Sequence, residues 1–199
     1  LIQHGKIIDG TGNPWFYGDV AVKDGKIIAV GNLTNWLAAK TIDATGFVIV
    51  PGFIDVHTHI EEDEIKNPLA SNFIYDGVTT VITGNCGASQ FDIKKYLSFL
   101  ESLHLSVNVA TLVGHNDIRE AVLGTANRQP TNEELEQMKA LVENAMQAGA
   151  VGFSTGLIYT PGTYAATSEI VALAKVAAQY NGIYTTHMRN ESDSVTDAI

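Results

Sequence analysis

The chain has 199 residues, 45% of them hydrophobic, enough to bury a sizeable core. Its 22 acidic and 12 basic side chains leave a formal charge of −10, which argues against nucleic acid or an anionic membrane as the main partner, since both attract a basic patch. No run of about 18 apolar residues occurs, so no membrane-spanning helix is expected. One cysteine, Cys86, excludes an internal disulfide framework. It fits a reducing compartment, so the cytoplasm is favoured, although no signal segment can be judged without the true N-terminus. The chain opens on Leu1 and closes on the helix-like stretch Ser194 to Ile199 without a stop signal, so it is expected to be a piece of a longer protein.

Residues 1–50 read as a small β unit. Gly18 to Lys23 alternates apolar and polar side chains, Asp24-Gly25 is a hairpin turn signal, and Lys26 to Gly31 is the returning strand. Thr41 to Gly46 and Phe47 to Val50 continue in the same style. After Pro51-Gly52 the rhythm changes, and residues 51–199 form a second region. Strands are predicted at about 53–58, 78–84, 107–113, 150–155 and 182–187, and helices at about 66–76, 92–103, 132–148 and 168–180. The third helix has the clearest signals. Thr131 and Glu134 form a capping box, Leu135, Met138, Leu141, Val142 and Ala145 make one stripe, and Gly149 stops it.

Strands separated by helices imply parallel βα units. Two α/β architectures fit, a doubly wound sheet and the N-terminal part of a (β/α)8 barrel, about strands 1–5. The distribution of polar residues favours the barrel. They sit at the C-terminal ends of nearly every strand: His57 and His59, Asn85 and Cys86, His115 and Asn116, Tyr159, then His187, Arg189 and Glu191. Barrels gather their chemistry at that rim. A doubly wound sheet concentrates it at one switch point, usually with a Gly-rich phosphate loop, and no such loop occurs here.

His57 and His59 are two apart, a spacing that points both side chains to one face of a strand. Two imidazoles so placed suit one divalent metal ion, and equally suit two ordinary polar residues at a strand end. Cys86 lies in Thr83-Gly84-Asn85-Cys86-Gly87, at the end of an apolar strand. A lone cysteine is usually a small buried hydrophobe. As a thiolate it is a soft zinc ligand, and its strand-end position favours that role. His187 ends the stretch from Ile183, and four donors of the right types at strand ends weigh more than any one. His115 and Asn116 belong to the same tier, while His4 and His104 read as structural. The acidic stretch Glu61 to Glu64 reads as a solvated loop.

The run Pro51-Gly52-Phe53-Ile54-Asp55-Val56-His57-Thr58-His59 resembles the first-strand signature of the amidohydrolase superfamily, which pairs a small β-sandwich with a metal-bearing barrel. Three further stretches are similar to one branch of it, the N-acyl-D-amino-acid deacylases (D-aminoacylases): Gly77 to Gly87, Gly152 to Gly162, and Thr186 to Arg189. The resemblance covers almost the whole chain. It implies a small β-sandwich, represented in part by residues 1–50, and a hydrolase barrel from residue 51 on.

That branch replaces the superfamily's bridging lysine with a cysteine. The resemblance therefore implies Cys86 and His187 as ligands of a tightly held Zn2+, and His57 and His59, with Cys86, as a weaker second metal site. It implies Tyr159 as the residue that helps polarise the scissile carbonyl. His115, Asn116, Arg189 and Glu191 are left as outer contacts of the metals or of the substrate. The implied substrate is a small molecule, an N-acyl-D-amino acid, and the implied reaction is zinc-dependent hydrolysis of its amide to a carboxylate and a D-amino acid. A sixth-strand histidine ligand and an eighth-strand aspartate base belong to the family pattern and fall past Ile199.

Two other readings stay open. A cyclic-amide hydrolase of the dihydroorotase or hydantoinase type shares the barrel and the first histidine pair, but Cys86 and the absent bridging lysine speak against it. A non-catalytic binding or scaffold relative would have lost ligands, whereas every ligand position within the chain is filled. The side-chain preference, the number of metals and the oligomeric state are not encoded in these motifs.

Overall fold

The structure, a computed structural model, describes residues 1–61, 63, 64 and 66–199 and falls into two compact units, Leu1–Gly52 and Phe53–Ile199. Glu62 of the acidic stretch lies outside the described residues.

The first unit is one five-stranded sheet. Its strands are β1 (Ile2–Ile7), β2 (Phe16–Lys23), β3 (Lys26–Gly31), β4 (Ile42–Asp43) and β5 (Val48–Ile49). β1 lies antiparallel to β2, which pairs with β3. The other edge of β1 takes β4 and β5 in parallel, with Ile2 opposite Ile42 and Lys6 opposite Val48. The β2–β3 hairpin turns at Asp24 and Gly25, whose φ values of 52° and 72° are both left-handed, as a two-residue turn matched to strand twist requires. Asp19 is buried in this unit. Its carboxylate accepts the backbone N–H of His4 at 2.9 Å and of Leu33 at 2.8 Å, and these bonds hold it below the usual carboxylate range.

The second unit runs β6 (Phe53–Asp55), α1 (Ser71–Tyr75), β7 (Val78–Thr83), α2 (Ile93–Ser102), β8 (Asn108–Thr111), β9 (Val113–Gly114), α3 (His115–Leu123), α4 (Asn132–Gln147), β10 (Gly152–Gly156), α5 (Thr167–Gln179), β11 (Ile183–His187) and α6 (Val195–Ala198). All its ladders are parallel. β7 pairs with β6 and β8, and β10 pairs with β9 and β11. Within each of these two three-stranded sheets the strands neighbour one another in chain order, an α/β arrangement related to barrel enzymes. No closed barrel is present among the described residues.

The core lies between strands and helices. Phe153 of β10 and Val113 of β9 pack with Ile118 of α3, Met138 and Val142 of α4 and Leu173 of α5, all buried. Each such side chain contributes about 1.5–3 kcal/mol on burial. The α4 capping box is complete: Thr131 Oγ1 accepts from Glu134 N, and the Glu134 carboxylate accepts from Thr131 N.

The structure departs from the sequence reading at several points. β6 is shorter than the predicted strand, so His57 and His59 follow the ladder rather than ride on it. The Thr58 N–H still reaches Ile82 O at 3.0 Å, and Thr58 is buried between its two exposed neighbours, so the alternation persists past the ladder. The predicted helix over 66–76 shrinks to the single turn and a half of α1. The strand predicted at 107–113 breaks at Leu112, whose N–H turns to Thr83 O at 2.9 Å. Helix α3 was not predicted. Its signals are Asp117 in the first turn, Ile118 and Leu123 buried, and Gly124 at its end.

Candidate metal centre

Three donors converge where β6 and β7 end. His57, His59 and Cys86 offer ligand atoms that all lie within 4.8 Å of one another. Cys86 Sγ is 3.4 Å from His57 Nε2, and the two imidazole rings stand edge to face with centroids 5.3 Å apart. Two ligands on one tetrahedral zinc sit about 3.5 Å apart, given bonds of about 2.0–2.3 Å. Two imidazoles and a thiol are also a donor set that suits zinc. No other such group of three occurs among the described residues.

The loop that presents Cys86 is built under tension. Cys86 has φ 57°, in the left-handed region, where a side chain costs about 1–2 kcal/mol. Gly84 and Gly87 on either side are also left-handed. Asn85, fully buried, donates its amide to Ile82 O at 3.0 Å and to Val56 O at 3.3 Å, and accepts from the Thr185 hydroxyl at 3.4 Å. It therefore ties the cysteine loop to the residue before His57 and to β11. Glu61 accepts from Gly84 N at 2.9 Å and from the Thr83 hydroxyl.

Glu61 is thus no solvated loop residue. Neither is Glu64, which is buried and accepts the Tyr96 hydroxyl at 2.9 Å. Burial, and then Glu64, push the Tyr96 hydroxyl up. The sequence reading missed Glu61 because a run of acidic residues carries no periodicity that marks a partner.

A second group forms at the end of β11. Tyr159 Oη is 3.1 Å from His187 Nδ1, with the rings edge to face. Glu191 Oε1 lies 3.1 Å from His187 Nε2, but at an angle that makes no hydrogen bond, so that buried nitrogen has no hydrogen-bond partner. The two groups meet at Gly156, the ladder partner of His187. A Cβ there would lie 2.0 Å from Cys86 O and 2.9 Å from the Tyr159 ring, so only glycine lets them close on each other. Burial, and then the negative charge of Glu191, push the Cys86 thiol up.

The remaining candidates lie elsewhere. His115 is fully buried in the first turn of α3, with Nε2 at 2.8 Å from Glu169. Asn116 is buried beside it, and its backbone N–H donates to Gly87 O at 2.9 Å. Arg189 donates to Thr163 O at 3.2 Å and Ala165 O at 2.5 Å, fastening the loop ahead of α5. A cavity of about 640 Å³ shares only His59 with the metal cluster, and Ile60, Glu64, Phe73, Leu105 and Val107 are among its other lining residues.

Residues 40–195 match the sequence model of the amidohydrolase family. The whole chain is 35% identical to D-aminoacylase of Alcaligenes xylosoxydans xylosoxydans, covering 46% of that protein. It is 36% identical to an N-acyl-D-glutamate deacylase from the same organism, covering 45% of it. Among solved structures, the N-acyl-D-glutamate deacylase of Bordetella bronchiseptica, complexed with zinc and a phosphonate inhibitor, superposes with a TM-score of 0.94. That match has 38% identity over 99% of this chain and 46% of the other. The chain spans about half the length of the relatives it matches.

Proposed function

Because this chain belongs to the amidohydrolase family and to its N-acyl-D-amino-acid deacylase branch, we propose that it serves zinc-dependent hydrolysis of the amide bond of N-acyl-D-amino acids, with a carboxylate and a D-amino acid as products. The observation that carries this reading is the convergence of His57, His59 and Cys86 within 4.8 Å at neighbouring strand ends. Cys86 and His187 are assigned to a tight zinc, and His57 and His59, with Cys86, to a second site. When bound, the metal supplies an activated water and a Lewis acid for the amide carbonyl.

The chain's own residues supply orientation. We assign the Nδ1–H tautomer to His187. It then donates to the Tyr159 oxygen, which leaves Nε2 free as a ligand and the Tyr159 hydroxyl hydrogen free for the substrate carbonyl oxygen. A donor aimed where negative charge develops is worth about 10²–10³ in rate. Asn116 and Arg189 support the site from outside, through Gly87 and the 163–165 loop. The parallel strands read as the first five of a (β/α)8 barrel, and residues 1–50 as part of a small β-sandwich.

The test is deacylation of matched N-acetyl-D- and N-acetyl-L-amino acids by the zinc-loaded, full-length protein, over several side chains. Strong preference for the D series is expected. Turnover of neither, with metal bound, discards the substrate class and makes cyclic amides the next panel.

A further inference from the structure

We propose that Ser154 of β10 is a positioning residue for Cys86, setting the geometry in which its sulfur meets a metal. The inference rests on the reading of Cys86 as a zinc ligand. Ser154 is fully buried and lies two residues before Gly156 on the same face of the strand. Its hydroxyl donates to Gly84 O at 2.5 Å, and its oxygen accepts the Gly87 N–H at 3.1 Å. These two bonds clasp the four-residue loop at both ends, with Cys86 between them.

The loop needs such a clasp. Gly84, Cys86 and Gly87 all hold left-handed φ values, of 75°, 57° and 77°. A non-glycine residue persists there only when its surroundings over-determine it. Ser154 reaches the loop across 70 residues from Gly84 and 67 from Gly87, so no local sequence feature replaces it. Its neighbour Thr155 is equally buried but faces the other way. The Thr155 hydroxyl bonds Thr186 Oγ1 at 2.7 Å and Tyr184 Oη at 2.9 Å and makes no hydrogen bond to the cysteine loop. Thr155 is therefore the internal control for a buried hydroxyl with a structural role alone.

The experiment compares full-length wild type, Ser154→Ala, Ser154→Thr and Thr155→Val after replacing zinc with cobalt(II). It reads the thiolate-to-cobalt charge-transfer band and metal affinity alongside thermal stability. Ser154→Ala is expected to weaken affinity about 10–100-fold, the usual cost of losing a group that orients a ligand, and to diminish the band. Ser154→Thr keeps the hydroxyl and retains both. Thr155→Val lowers thermal stability and leaves band and affinity at wild-type values. Should Ser154→Ala fail to fold, a folded Ser154→Thr protein that loses the band overturns the proposal, as does a folded Ser154→Ala protein that keeps band and affinity. Wild type that binds cobalt without the band removes Cys86 from the metal and overturns the underlying reading instead.

Discussion

Two histidine sites follow parallel strands of separate sheets, β6 and β9, and they do opposite work. His57 and His59 follow β6, are exposed, and face the Cys86 thiol. His115 follows β9, is fully buried, and meets Glu169, which also accepts Arg119 Nη1 at 2.5 Å. Burial works against the charge of Glu169, yet the bonds from His115 and Arg119 outweigh it and hold its carboxyl below the ordinary range. The first site leaves donor atoms open to an ion that arrives from outside. The second consumes its polar atoms internally and joins α3 to α5. Residue type and strand-end position are shared, and solvent access and partners separate the two.

The comparison is broken most severely at the first site. Cys86→Ser is expected to lower kcat/KM on N-acetyl-D-amino acids by at least ~10³-fold, beyond the ~10–100-fold of outer-shell losses, with zinc content falling alongside and the melting temperature nearly unchanged. Metal analysis and steady-state kinetics on the full-length protein check it. A variant with wild-type zinc and rate would remove Cys86 from the centre.

The second site is broken by Glu169→Ala, which leaves Arg119 charged and unpaired in the core. Denaturant unfolding should show a loss of about 3–5 kcal/mol, while folded protein retains its zinc. Acid sharpens the same point. The Glu169 pKa is depressed from its ordinary 4.5, so its stabilisation is fully present above that value and is lost as pH falls through the lower folded value. The stability gap between wild type and Glu169→Gln should therefore narrow on acidification below about pH 4.5.

Tyr159→Phe tests the proposed role of the Tyr159 hydroxyl, which lies 3.1 Å from His187 Nδ1. We expect kcat to fall about 10²-fold with KM little changed, as for loss of a donor that acts on the transition state. The smallest effect belongs to Thr131→Ala, which removes the α4 cap. It should cost about 1 kcal/mol in unfolding and nothing in zinc content.

Much of this molecule was legible in the chain. The β2–β3 hairpin follows from Asp24-Gly25, α4 from its capping box and apolar stripe, and the candidate ligands from donor chemistry at strand ends. These signals are local, because a turn, a cap or a helical face is set by residues a few positions apart. The tertiary structure decided which strand-end side chains meet. Cys86 reaches His57 across 29 residues, Asn85 reaches Thr185 across 100, and His115 finds Glu169 across 54. Such pairings depend on how β strands register and how helices cover them, and burial then decides whether an imidazole is left for a metal or spent on a carboxylate. No periodicity in the sequence carries that distinction, since it arises only when distant segments exclude water from one histidine and leave it around two others.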